Sequence, residues 1–151
     1  MHRYLIVLIL LLIAGRAQGL PSCPEVFSLA YDECEGDYRY DNGDRYRGEW
    51  KKGEKHGFGT YVWTNGHRYE GQWLAGEKNG SGQYTWSNGD RYVGEFHGGD
   101  YHGEGTLTYI SGKTVTGEWR KGIPWNATAY SAAGKATYAY TNGNALCLTQ
   151  Q

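Results

Sequence analysis

The sequence predicts an all-β fold: an elongated, single-layer antiparallel meander of stacked β-hairpins. Three observations predict it. A 23-residue unit recurs without gaps from position 46 to position 114, and self-similarity at such a period marks a repeat architecture. Within each unit, aromatic and glycine residues alternate with charged ones in steps of two, the period of a strand with one covered face. Asn-Gly or Ser-Gly recurs at 42–43, 65–66, 88–89 and 111–112. Asn-Gly between alternating runs signals a tight primed hairpin turn, which needs positive φ at both positions.

Composition agrees with this class. The 151 residues include 24 Gly, 14 Tyr and 6 Trp against 3 Phe, 3 Pro and 1 Met, and mean hydropathy is -0.69. Glycine and aromatics are poor helix formers, which argues against a helical bundle. Abundant aromatics and balanced charge argue against disorder. Glycine does not fall at every third position, so collagen is excluded. The length fits one domain or one repeat array rather than a multidomain enzyme.

The chain opens with MHRYLIVLILLLIAGRAQG. Arg3, the apolar run 5–14, and Ala17 and Gly19 before a cut form the three-part pattern of a secretory signal peptide over 1–19. Ten apolar residues make about 15 Å of helix, half of a bilayer core, so an uncleaved anchor is the weaker alternative. The leader carries Arg3 and Arg16 and no acid. Its removal leaves a more acidic chain, with no basic patch suited to a nucleic-acid backbone. The expected location is therefore secreted or exported: extracellular, periplasmic or in the lumen of the secretory pathway.

Residues 20–35 read as an N-terminal cap. Pro24 suits a first helical position and Val26, Phe27 and Ala30 fall on one side, so a short capping helix is expected, with an irregular loop as the alternative. Cys23 and Cys34 flank it and are a candidate disulfide in an oxidising compartment. A half copy of the unit, EGDYRYDNGDR, follows and ends at 45. Full copies occupy 46–68 (YRGEWKKGEKHGFGTYVWTNGHR), 69–91 (YEGQWLAGEKNGSGQYTWSNGDR) and 92–114 (YVGEFHGGDYHGEGTLTYISGKT). In the first, Tyr46, Gly48 and Trp50 alternate with charges, as do Gly59, Tyr61 and Trp63 with Thr and Val, giving two strands joined by a longer glycine-rich turn at 53–57. A partial copy covers 115–122. Residues 123–151 hold a degraded repeat and closing strands, with an Asn-Gly turn at 142–143 and an alternating run at 145–149.

These residues resemble the MORN repeat (membrane occupation and recognition nexus), whose motif is Y-x-G-x-W-x-x-G-x-x-H-G-x-G. Tyr46, Gly48, Trp50, Gly53, His56, Gly57 and Gly59 match it fully. The second copy has Asn79 for His. The third has Phe96 for Trp and keeps His102. The fourth keeps Gly117, Trp119 and Gly122, then loses the pattern at Trp125, Asn126 and Thr128. The resemblance covers about 36–122. It implies a non-catalytic interaction and assembly scaffold, used in similar proteins sometimes beside membranes and sometimes fused to a separate enzyme domain.

The physics of such an array supplies further expectations. Each hairpin advances the sheet by about 9.6 Å, so five units or part-units span roughly 45 Å. Cys147, at the far end, then lies beyond disulfide reach of Cys23 and Cys34, and is either buried or linked to a second chain. His56 and His102 fall about 19 Å apart, too far to share one metal ion, and read as turn residues. Glu49, Glu95 and Glu118 form a solvated row that Gln72 interrupts, and the acids at 32–44 a solvated face. No nucleophile-base pair, phosphate loop or cofactor motif stands out, so no enzyme activity and no cofactor is expected. Asn79 and Asn126 head glycosylation sequons.

The candidate binding face is the aromatic one: Tyr46, Trp50, Tyr61, Trp63, Tyr69, Trp73, Tyr84, Trp86 and Tyr92. The plain alternative is that these rings are only the core. The first functional expectation is binding of a protein partner or self-association as a homodimer, through the rings or the sheet edge. The second is binding of envelope glycan or lipid headgroups at a membrane surface. No nucleic acid is expected as a partner.

Overall fold

The computed structural model describes residues 19–24 and 31–148. The expected leader and the short capping helix after Cys23 lie outside the described residues. Eleven antiparallel strands form one sheet in chain order: β1 (Cys34–Arg39), β2 (Arg45–Lys51), β3 (Glu54–Val62), β4 (Arg68–Leu74), β5 (Glu77–Thr85), β6 (Arg91–His97), β7 (Asp100–Thr108), β8 (Thr114–Arg120), β9 (Ile123–Tyr130), β10 (Ala136–Thr141) and β11 (Asn144–Cys147). The predicted meander of hairpins is the observed one.

The first strand is not a bare edge. Ser22 bridges Glu35 in parallel, and Cys23 is disulfide-bonded to Cys34. The Cys23 N–H donates to the Glu35 carbonyl and the Glu35 N–H to that of Pro21, at 2.9 and 2.8 Å. A short stapled segment thus covers backbone groups that would otherwise invite pairing with another chain.

The two turn classes are the reverse of the expected ones. At the Asn-Gly turns only glycine has positive φ: +88° at Gly43, +87° at Gly66 and +95° at Gly89, with Asn42, Asn65 and Asn88 outside that region. The Trp63 N–H donates to the His67 carbonyl and the Gly66 N–H to that of Trp63. This is a three-residue loop closed by a left-handed glycine, not a two-residue primed turn. The asparagines serve through their side chains instead: Asn65 Oδ1 accepts the His67 N–H at 3.1 Å, and Asn42 Oδ1 that of Asp44 at 3.0 Å. The tight primed turns lie at the other end of each unit. Both central residues have positive φ at Lys52-Gly53 (51°, 78°) and Ala75-Gly76 (49°, 81°), so β3 begins at Glu54, where a long glycine loop was expected. The C-terminal Asn142-Gly143 pair does form such a turn, at 51° and 78°.

Rings cover one face. Tyr46, Tyr69 and Tyr92 are fully buried, and Trp50, Trp73, Phe96 and Trp119 nearly so. Gly48 pairs with Gly59, Gly71 with Gly82 and Gly94 with Gly105 across neighbouring strands. Each tyrosine ring lies over its glycine pair; a Cβ on Gly59 would overlap the Tyr46 ring and hydroxyl. The hydroxyls of Tyr46 and Tyr69 donate to the carbonyls of Glu49 and Gln72, both at 2.9 Å. A second ladder links successive units. The indole N–H of Trp50 donates to Gly36, that of Trp73 to Gly59 and that of Trp119 to Gly105, at 3.3, 3.1 and 3.0 Å. Each unit's tryptophan thereby caps a backbone carbonyl of the unit before it.

The fourth unit departs by one residue. In the first, Gly57 and Phe58 of β3 bulge between the pairs Glu49–His56 and Gly48–Gly59. In the fourth, only Trp125 bulges, before the pairs Glu118–Asn126 and Gly117–Ala127. One residue fewer reverses which face the later side chains of β9 take. Val115 therefore pairs with Ala129, where Tyr46 pairs with Tyr61, and Tyr130 pairs with Thr114, where Val62 pairs with Arg45.

Candidate functional site

The strand register sorts the nine candidate ring residues by depth. Tyr46, Trp50, Tyr61, Tyr69, Trp73 and Tyr92 are buried and form the floor of the face. Trp63, Tyr84 and Trp86 are half-buried and form its accessible strip. Their rings run in series, Tyr61–Trp63 at 4.5 Å, Trp63–Tyr84 at 5.5 Å and Tyr84–Trp86 at 4.9 Å between centroids. The His67 Nδ1 sits 2.6 Å from the Tyr84 hydroxyl and fixes that ring.

Two lysines share this face and were missed in the sequence. Lys55 pairs with Trp50, and Lys78 with Trp73, so both have the parity of the rings. The Lys55 Nζ stands 4.9 Å from the Trp73 ring and 5.1 Å from that of Tyr61. The Lys78 Nζ stands 4.9 Å from Tyr84 and 5.5 Å from Phe96. Such distances give cation–π attraction. Burial lowers the pKa of both ammonium groups; Asp100 partly opposes this at Lys78. Neither lysine is in an ion pair among the described residues. In the third unit Tyr101 takes this place and stacks on Tyr92 at 4.0 Å. The signal was available: a basic residue directly opposite a buried tryptophan must lie on the ring side.

The opposite face carries the acidic row, which is bonded rather than merely solvated. Glu49 Oε1 accepts the Phe58 N–H at 2.8 Å, closing the bulge at Gly57. Gln72 does not interrupt the row; its Oε1 accepts the Ser81 N–H at the same distance. Glu118 pairs with Arg120 and accepts from the Asn126 amide at 2.7 Å. That amide group is thus engaged, and Asn126 Oδ1 also accepts the Asn142 N–H. His56 sits at the bulge, its carbonyl 3.3 Å from the Tyr46 hydroxyl. Among the described residues, no three His, Cys, Asp or Glu side chains converge as metal ligands.

The acids near the start were read as a solvated face, yet Asp44 is buried. Its carboxylate accepts the Thr64 N–H at 2.9 Å, the Tyr61 hydroxyl at 2.8 Å and the Asn42 amide at 2.9 Å. These bonds, led by that from Thr64, hold its pKa below the usual carboxylate value. Asp90 makes the same link two turns on, to the Ile110 N–H at 2.8 Å. Cys147 is exposed on β11, so the expectation of burial does not hold.

Ring ladder, glycine pairs and period coincide with one family. The MORN repeat model matches 46–68, 69–91 and 92–114. Residues 46–114 are three consecutive MORN repeats. Comparison with curated proteins gave no match. MORN repeats serve in general as non-catalytic scaffolds for protein or membrane interaction. In this chain the recurring Tyr, Trp and Gly positions of the MORN motif build the ladder. The strip bearing Trp63, Tyr84, Trp86, Lys55 and Lys78 is what the ladder presents outward.

Proposed function

We propose that this chain is an exported, non-catalytic scaffold that holds a protein partner, or a second copy of itself, against the ring-bearing face. One observation carries the reading: a strip of half-buried rings with two ammonium groups that no carboxylate pairs among the described residues. Aromatic residues rich in area and poor in rotamer freedom are the usual anchors of protein recognition. Cations already partly stripped of water gain from meeting a partner's acid. The lysines fall one hairpin apart, about 9.6 Å, so an acidic segment laid across the strands meets both. Export is supported by the leader pattern and by the Cys23–Cys34 disulfide, which persists in oxidising compartments.

The test is site-specific photocrosslinking in the native host. Benzophenone side chains replace Trp86 on the ring face or Phe58, which is 55% exposed on the opposite face. Capture of one defined protein from position 86 and not from 58 is the expected result. Equal capture from both faces would remove the reading. Half-buried indoles beside a cation also suit a glycan or a lipid headgroup. Retention on cell-wall glycan or liposomes, lost on Trp63→Ala and Trp86→Ala, would move the assignment there.

A further inference from the structure

The one-residue change in the fourth unit leaves a hole in the ring lattice. The places held by Tyr46, Tyr61 and Trp63 in the first unit are held by Val115, Ala129 and Ser131 in the fourth. The turn bonds confirm the last pair, since the Ser131 N–H donates to Lys135 as the Trp63 N–H does to His67. Tyr130, which would restore a ring, pairs with Thr114 at the parity of Val62. A cavity of about 440 Å³ lies here, lined by Tyr109, Tyr138 and Tyr140 over Val115 and Ala129, with Lys113, Tyr130 and Ser131 also on its wall. Most of its lining is apolar, and its volume is in the range of small-molecule sites.

The charge at this place is reversed as well. Asp44 and Asp90 accept a backbone N–H of the following turn. The residue one period after Asp90 is Lys113. The fourth unit therefore offers an ammonium where two earlier units offer a carboxylate. Lys113 is exposed and in no ion pair among the described residues. Tyr138, opposite Ala129, is 45% exposed and Tyr109 38% exposed, unusual for rings on this face.

We propose that this cavity binds a small planar aromatic carboxylate, its ring filling the volume that the chain's own rings fill in earlier units and its carboxylate meeting Lys113. The occupant is argued from shape and charge together: the vacancy is ring-sized because a periodic lattice of rings surrounds it, and its one cation selects an anion. The inference does not depend on a protein partner for the ring strip, because the probe is added directly to the isolated chain.

Indole-3-propionate is titrated into the exported full chain by calorimetry and followed by NMR. A Kd of about 1 mM or tighter is expected, with at least about tenfold weaker binding of the neutral indole-3-propionamide. Ser131→Trp returns a ring to the vacancy and should abolish binding without lowering the melting temperature. Lys113→Gln should weaken the acid by about tenfold and leave the amide unchanged. Absence of binding to the native chain, equal affinity for acid and amide, or unchanged affinity in a folded Ser131→Trp protein would each overturn the proposal. A peptide ending in a tryptophan carboxylate carries the same chemistry on a chain end. It should bind no tighter than the free acid, and binding about tenfold tighter would overturn the assignment to a small molecule.

Discussion

Gly82→Ala is expected to damage the second unit, and Tyr69→Val to repair much of that damage. The φ of Gly82 lies outside the left-handed region, so its backbone accepts alanine and only the space above it objects. An added Cβ would stand 2.5 Å from the Tyr69 hydroxyl oxygen and 2.7 Å from ring atoms Cε2 and Cζ. Carbon atoms rest about 3.5–4.0 Å apart, so the ring must rise by roughly 1 Å. It has nowhere to go: Tyr69 is fully buried between Trp73 at 5.1 Å and Phe96 at 4.9 Å. Overpacking of this kind costs about 1–3 kcal/mol, and loss of the tyrosine's bond to the Gln72 carbonyl about 1 more. The expected destabilisation is therefore about 2–4 kcal/mol. The fourth unit carries the compensated pair, with Val115 in the tyrosine place and Ala127 in the glycine place. The double variant should accordingly be more stable than the summed single effects by about 2 kcal/mol. Urea unfolding of the four proteins by far-ultraviolet circular dichroism measures this, with the slopes compared, because repeat arrays can unfold in parts. A Gly82→Ala protein within about 0.5 kcal/mol of the native one, or strict additivity in the double variant, would refute the seating of ring on glycine.

Phe96 breaks the indole ladder, so Phe96→Trp should supply the missing N–H to the Gly82 carbonyl and raise stability by up to about 1 kcal/mol in thermal or urea unfolding; a loss of that size would show a site moulded to phenyl. Because Gln72 does the work of Glu49, Glu49→Gln should unfold like the native chain, whereas Glu49→Ala leaves the Phe58 N–H without its acceptor and should cost about 1 kcal/mol by the same assay. Asp44 has a lowered folded-state pKa, so its contribution is fully present above the unfolded carboxylate value of about 3.9 and is lost as pH falls through the lower folded value. The stability gap between the native chain and Asp44→Asn should be constant near neutrality and shrink below about pH 4, and a gap that widens with acid would contradict the assigned bonds.

The alternation of Tyr, Gly and Trp with charges was enough to read the hairpins, their order and the covered face. The turns were misread because Asn-Gly has two uses. Whether asparagine takes positive φ depends on the number of residues between the last paired positions, which is three both between Tyr40 and Asp44 and between Trp63 and His67. Lys52 and Ala75 adopt left-handed φ with no local signal, since the glycine after each and the twist of the strands impose the primed turn. The acidic row looked solvated because exposure and hydrogen bonding are independent. Glu49 turns its carboxylate back onto a backbone N–H while staying on the outer face. Lys55 and Lys78 carry no site signal of their own in the sequence, because their face is fixed only by cross-strand pairing. The pairing that puts them opposite Trp50 and Trp73 follows from the two-residue turn, the very turn that was misplaced.

The parity change in the fourth unit shows how far a single residue can reshape a repeat sheet. By plain counting, Tyr130 is three periods after Tyr61 and looks like a retained ring. The turn glycines say otherwise. Gly66, Gly89 and Gly112 keep the 23-residue step, but the next lies at Gly134, one residue early, with φ of +77°. Bulge and turn have therefore moved together, so the loop keeps its left-handed glycine and its closing bonds while the strand between them is inverted. The joint shift preserves the hairpin and takes the Tyr130 ring out of the lattice. That is why the fourth unit is a sound strand pair with a cavity rather than a failing end of the array.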